Sequence, residues 1–155
     1  MKFSTQEVME VPADAAFALL TDFALLEQAA VRRGADVRRL DSLAEPGVGQ
    51  AWDVTFAVRG RPRQVALDVV IYRPPQELVI GFSSQGLEGE TRLELTPLSP
   101  SRTRVMVSLE MRPATLPGRL LLQSLKLAKV RLAQRYKVRV GQHIEEMEQQ
   151  HRGAV

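Results

Sequence analysis

Residues 117–150, near the C-terminus, have the composition of one long helix. After Pro117 the stretch contains no proline, and Ala, Leu, Lys, Arg, Gln and Glu dominate it, all of which are good helix formers. At 1.5 Å per residue, such a helix would be about 50 Å long, so it needs a broad apolar surface to lie on. Steps of three and four residues supply the matching amphipathic stripe, which consists of Leu121, Leu125, Ala128, Leu132, Tyr136 and Val140.

Six segments that precede this helix alternate apolar and polar residues, as β-strands do. Short turns, most of them rich in glycine or proline, separate the last five, so these strands should pair antiparallel with their neighbours. Each strand has one apolar face, which leaves one side of the sheet wet and the other in need of a cover. The segments are residues 35–43, 50–59, 63–72, 77–84, 87–96 and 102–111.

The N-terminal part predicts one further strand and two short helices. Residues 2–11 alternate imperfectly and form the strand. Pro12 has the fixed φ suited to a helix start, and the helix that it opens runs to about residue 20. Thr21-Asp22 then offers a fresh N-cap for a helix over residues 23–33, which Gly34 ends.

The composition is that of a soluble, cytoplasmic, single-domain protein. Its 155 residues suit one core, and we assign the domain to residues 1–150 with a disordered tail at 151–155. The absence of cysteine excludes disulfides and thiolate metal sites. No stretch reaches the ~18 apolar residues of a transmembrane helix, and the N-terminus lacks the apolar core of a signal peptide.

Basic residues are concentrated between Arg112 and Arg139, where eight of them occur without an acidic residue. A block of this kind can attract nucleic acid or anionic lipid. On the predicted helix these side chains point in several directions, and no aromatic residues alternate with them as single-strand binding favours. We therefore predict no nucleic-acid partner and a solvated basic surface.

The order of elements, one strand, two helices, six strands and a long helix, resembles the helix-grip superfamily. This superfamily includes START lipid-transfer domains, birch-pollen-allergen-like proteins, polyketide cyclases/dehydratases and a group named after a small subunit of carbon monoxide dehydrogenase. The resemblance is carried by VMEVPADAAFALLTDFALLEQ, PGVGQAWDVTFAVRG, PPQELVIGF and the final helix. It implies an α+β fold, in which a seven-stranded antiparallel sheet curves around the C-terminal helix and encloses a cavity.

The implied cavity would be lined by the apolar strand faces, the first short helix and residues 121–136, with the acidic end at 145–148 as a solvated extension. Lys129 could hold an anionic head group there, or its side chain could reach past the sheet to water. Tyr136 could orient a ligand through its hydroxyl or be an ordinary core tyrosine. The predicted lining residues are Phe17, Leu20, Trp52, Val54, Phe56, Leu67, Val69, Ile80, Phe82, Leu93, Leu121, Leu125, Lys129, Leu132 and Tyr136.

Three functions stay open at this point. The first is binding or carrying a hydrophobic or amphipathic small molecule, which requires an apolar cavity of roughly 300 Å³ or more. The second is an enzyme of cyclase/dehydratase type, with Glu7, Lys129 and Tyr136 as candidate acid/base groups. The third is a protein-interaction or assembly factor with a filled core.

Two further expectations concern partners and cofactors. Leu116, Leu120 and Leu127 lie apart from the main stripe and could form a homodimer contact. The histidines at 143 and 151 lack the spacing of a helical zinc pair, and no glycine-rich phosphate loop is present. We therefore predict neither a metal nor a cofactor.

Overall fold

Seven strands form one antiparallel sheet in the computed structural model, which describes residues 1–154. Their order across the sheet is β1-β7-β6-β5-β4-β3-β2. All the predicted strands are present, which confirms the α+β class and the seven-stranded sheet. The strands are β1 (Lys2–Met9), β2 (Asp36–Arg39), β3 (Ala51–Val58), β4 (Arg61–Arg73), β5 (Glu77–Ser84), β6 (Leu87–Ser99) and β7 (Arg102–Pro113).

Four helices accompany the sheet. The side chain of Asp22 caps α2 by accepting a hydrogen bond from the N–H of Leu25 at 3.1 Å. Gly34 follows the same helix with a φ of +94°, which favours glycine. Both signals act as the sequence predicts. The helices are α1 (Ala13–Leu20), α2 (Phe23–Arg32), α3 (Leu116–Leu127) and α4 (Lys129–Ala154).

The prediction of one continuous C-terminal helix is wrong, because Ala128 separates α3 from α4. Its φ and ψ are −106° and 18°, and its N–H bonds to the carbonyls of Leu125 and Lys126 instead of the one four residues back. We call residues 126–131 the elbow. The second helix continues past residue 150 to Ala154, where a tail was expected, and residue 155 lies outside the described part.

The core lies where α1 and the C-terminal half of α4 pack on one end of the sheet. Ile144 and Met147 of α4 are buried there, although this end was expected to be solvated. Leu121, expected to line a cavity, is instead 38% exposed. The outer half of the long stretch, α3, packs on β6 and β7.

This arrangement leaves the concave face of β3, β4 and β5 bordered by α2. No helix within residues 1–154 is both long and apolar enough to span a membrane.

Candidate functional site

An apolar pocket of about 150 Å³ lies between α2 and the concave face of the sheet. A space of this size holds about one benzene-sized ring, so it is smaller than the roughly 300 Å³ expected of a complete small-molecule site. Four predicted residues, all from strands, line it. The complete lining is Phe23, Leu26, Glu27 and Ala30 of α2, Val37 of β2, and Trp52, Val54, Leu67 and Ile80 of the sheet.

The strand register explains the wall that the sheet contributes. Trp52 lies opposite Leu67, and Leu67 lies opposite Phe82. Directly opposite residues share a face, so the alternation in β3, β4 and β5 places the apolar set on the concave side. Four further predicted residues lie on this face but outside the pocket lining: Phe56, Val69, Phe82 and Leu93.

Trp52 is fixed in the pocket by three contacts. Its ring meets Phe23 edge-on, with ring centroids 5.3 Å apart. The guanidinium carbon of Arg39 lies 5.8 Å from the Trp52 ring centroid. Its indole N–H donates a hydrogen bond to the carboxylate of Glu27. The polar atom of Trp52 and the one carboxylate of the lining therefore satisfy each other.

Arg39 is itself held by Asp41. The Nε and Nη2 atoms of Arg39 donate to the two carboxylate oxygens, at 2.8 Å each. The backbone N–H groups of Leu43 and Ala51 donate to the same carboxylate, at 2.9 and 2.8 Å. The hydrogen bond from Arg39, helped by these two, holds the pKa of Asp41 well below its usual range. The charge beside Trp52 is thus oriented before any ligand arrives.

The Glu27–Trp52 hydrogen bond gives a stability prediction. Glu27→Ala should lower the free energy of unfolding by about 1–2 kcal/mol, because the indole N–H loses its acceptor in a buried setting. Glu27→Gln keeps an acceptor oxygen and should lower the free energy by less than half as much. Urea unfolding followed by tryptophan emission measures both variants. Equal losses in the two variants would show that the carboxylate charge, and not the hydrogen bond, stabilises this wall.

A larger cleft of about 510 Å³ adjoins the pocket between α2 and α4. Leu26 and Ala30 border both spaces. In contrast to the pocket, the cleft carries several charged side chains. Its other residues are Leu25, Ala29, Arg32 and Arg33 of α2, and His143, Glu146, Met147 and Gln150 of α4.

Tyr136 lies away from the pocket, on the β1 side of α4. Its ring centroid is 5.8 Å from that of Phe3. Its hydroxyl is buried and finds no hydrogen-bond partner within residues 1–154. Glu7 is on the same concave face and its carboxylate lies against Gly141 of α4. These two polar groups border the space under α4 but are not part of the pocket.

The buried hydroxyl of Tyr136 predicts a pH effect. Burial disfavours the phenolate and raises the pKa of Tyr136 above its usual value. Because the folded state holds this proton more tightly than the unfolded chain, the free energy of unfolding should fall as the pH rises above about 10. Alkaline absorbance titration should show a late tyrosinate step that Tyr136→Phe lacks. An unchanged titration in that variant would contradict the assignment.

The other predicted site residues fall outside the pocket. Lys129 is the first residue of α4 and is exposed, so it reaches neither the pocket nor Glu7. Phe17 is buried in the core with its ring 5.6 Å from Tyr72, and Leu20 is buried with it. The half-buried Leu125 and Leu132 flank the break at Ala128. The reason is shared: α2, rather than the C-terminal helix, covers the central strands.

Five lining residues were absent from the predicted set, and four of them belong to α2. The missing signal was present, since Phe23, Leu26 and Ala30 are spaced three and four residues apart and share one side of a helix. Among residues 1–154, no three histidine or carboxylate side chains come together as a metal site.

Comparison with known proteins identifies the fold. Neither a protein-family model nor a curated protein sequence matches the chain. A norcoclaurine synthase structure from Thalictrum flavum is similar with a TM-score of 0.70, at 13% identity, over 98% of this chain and 96% of that one. The Zhui aromatase/cyclase from Streptomyces sp. R1128 gives 0.63, at 17% identity, over 99% and 97%.

A protein from Thermus thermophilus is also similar, with a TM-score of 0.64 at 14% identity, over 96% of this chain and 97% of that one. At these identities the likeness concerns architecture. The chain has the helix-grip fold, as its order of elements predicted.

Proposed function

We propose that the protein binds an apolar or amphipathic small molecule whose ring-sized end enters the pocket between α2 and the sheet. The supporting observation is the pocket lining, in which eight of nine residues are apolar or aromatic and Glu27 is already hydrogen-bonded. Burial of apolar surface, at roughly 25 cal/mol per Å², would supply most of the affinity.

The adjoining cleft suits the polar end of such a ligand. Arg32 and Arg33 of α2 border it together with His143 and Glu146 of α4. Arginine side chains bind carboxylates through paired hydrogen bonds. An amphipathic molecule with a ring at one end and a carboxylate at the other matches the combination of pocket and cleft.

An enzyme of cyclase/dehydratase type is the second candidate, because similar folds include an aromatase/cyclase and a norcoclaurine synthase bound to a transition-state analogue. Acid–base catalysis needs titratable groups within hydrogen-bond reach of the reacting atoms. The pocket lining offers only Glu27, and its carboxylate accepts from Trp52. The pocket therefore favours binding over turnover.

The chain contains a natural reporter for the test, because Trp52 is its single tryptophan. Titration with the neutral fluorophore N-phenylnaphthylamine should quench Trp52 emission in a saturable way, with energy transfer to the probe. Native mass spectrometry of the purified protein should show one bound molecule per chain. Absence of saturable quenching at concentrations where the protein stays folded would contradict the proposal.

A further inference from the structure

The elbow exposes apolar side chains. Leu127 is 91% exposed and Val130 is 84% exposed, on the two sides of the break at Ala128. Leu116 and Leu120 are also largely exposed. With 3.6 residues per turn, these two and Leu127 lie within about 40° of one another on α3. They form a stripe that points away from the side chain of Leu122, which is buried against the sheet side.

Positive charge surrounds this apolar tip. The stretch from residue 113 to 144 contains no acidic residue. Lys126, Lys129 and Arg131 adjoin Leu127 and Val130 and are exposed. Within residues 1–154, ion pairs involve none of the seven lysine and arginine side chains of this stretch. These seven are Arg119, Lys126, Lys129, Arg131, Arg135, Lys137 and Arg139.

We propose that the elbow docks on an anionic lipid surface. Apolar side chains that project from a basic helical segment enter the boundary between head groups and acyl chains, while lysine and arginine remain at head-group level. Leu127 and Val130 would enter this boundary, with Leu120 and Leu116 lying along it. This proposal does not depend on the small-molecule pocket.

The charge argues against the other occupants. A symmetric dimer places the same patch on both subunits, so Lys126, Lys129 and Arg131 would face their own copies and repel them. Single-stranded nucleic acid is bound with stacking aromatic side chains. The one aromatic residue of α3 and α4 is Tyr136, and its ring packs on Phe3. Exposed leucines beside unpaired cations fit a lipid surface better than either alternative.

The test is co-sedimentation of the intact protein with vesicles of phosphatidylcholine mixed with phosphatidylglycerol, compared with vesicles of pure phosphatidylcholine. The wild-type protein should bind only the mixed vesicles, and added salt should weaken this binding. Leu127→Ser combined with Val130→Ser should reduce the partition coefficient at least about tenfold. Lys126→Gln combined with Lys129→Gln should reduce it roughly 20- to 30-fold.

Matched controls come from other exposed positions. Val31→Ser with Val48→Ser removes two exposed apolar side chains, and Arg59→Gln with Arg104→Gln removes two exposed charges. Both controls should change vesicle binding less than about twofold. All variants should keep the wild-type circular dichroism spectrum, because the replaced side chains are exposed.

Equal binding to both kinds of vesicle, or unchanged binding in both elbow variants, would overturn the proposal. Analytical ultracentrifugation that detects a dimer abolished by the Leu127/Val130 variant would assign the surface to a second copy. Oligonucleotide binding that the Lys126/Lys129 variant weakens, and the Leu127/Val130 variant does not, would assign it to nucleic acid.

Discussion

Ala30→Phe is expected to weaken binding of N-phenylnaphthylamine between about 10- and 150-fold. Ala30 borders both the pocket and the adjoining cleft, and the pocket of about 150 Å³ holds about one benzene-sized ring. The new phenyl ring would occupy the space that the proposed ligand fills. The expected factor corresponds to the roughly 1.5–3 kcal/mol gained on burying one large apolar side chain. Quenching of Trp52 emission gives the affinity.

Ala24→Phe is the matched control. Ala24 lies on the same helix but is exposed and outside the pocket lining, so the two variants share the loss of helix propensity, about 0.5 kcal/mol. Ala24→Phe should keep wild-type affinity. Two variants that bind equally well would place the binding site elsewhere on the protein.

Gly118→Ala is expected to lower the free energy of unfolding by about 3 kcal/mol. A Cβ atom at position 118 would lie 1.9 Å from the carbonyl oxygen of Gly86 and 2.6 Å from its carbonyl carbon. These are backbone atoms of the β5–β6 turn, where Gly86 has a φ of +79° that disfavours other residues. Relief of the clash therefore requires α3 to move off the turn.

Thermal unfolding should show the loss as a decrease in Tm of ~6–12 °C. Hydrogen exchange should report the largest loss of protection in α3. Gly153→Ala, at a helical glycine whose Cβ would meet nothing within 4 Å, should change the free energy by less than about 0.5 kcal/mol. If Gly118→Ala instead gained the roughly 1 kcal/mol of alanine's helix propensity, the close contact with Gly86 would be refuted.

The sheet was predictable because its signal is local. Side chains alternate between the two faces of a strand, so the apolar run at Val65, Leu67 and Val69 identifies one face directly from the sequence. The pairing of Trp52 with Leu67 then follows from the short turn at Gly60. The predicted part of the pocket consists of residues from these strands.

The break at Ala128 was not predictable from local propensity. Its neighbours are leucine and lysine, which favour a continuous helix. The two helices are instead held at their far ends by tertiary contacts: α3 at Gly118 on the β5–β6 turn, and α4 at Ile144 and Met147 in the core. We attribute the elbow to these separate attachments, which involve residues distant in sequence.

The same cause explains the missed half of the pocket. Which helix covers the central strands depends on where α4 is anchored, and a sequence pattern does not contain that position. The hydrogen bond from Trp52 to Glu27 joins β3 to α2 across 25 residues. Glu27 therefore gave no local sign of its role, although Leu26 and Ala30 beside it had helical spacing.

The position of β1 at the edge of the sheet has a consequence for synthesis on the ribosome. Its single neighbour is β7, so that Phe3 pairs with Leu109 and Met9 pairs with Thr103. At ~5–20 residues per second, β1 would emerge roughly 5–20 s before its partner. The turns between β3 and β7 close local hairpins during this interval. The first strand made would therefore be the last to join the sheet, and until then its Phe3 and Met9 would be exposed to chaperones.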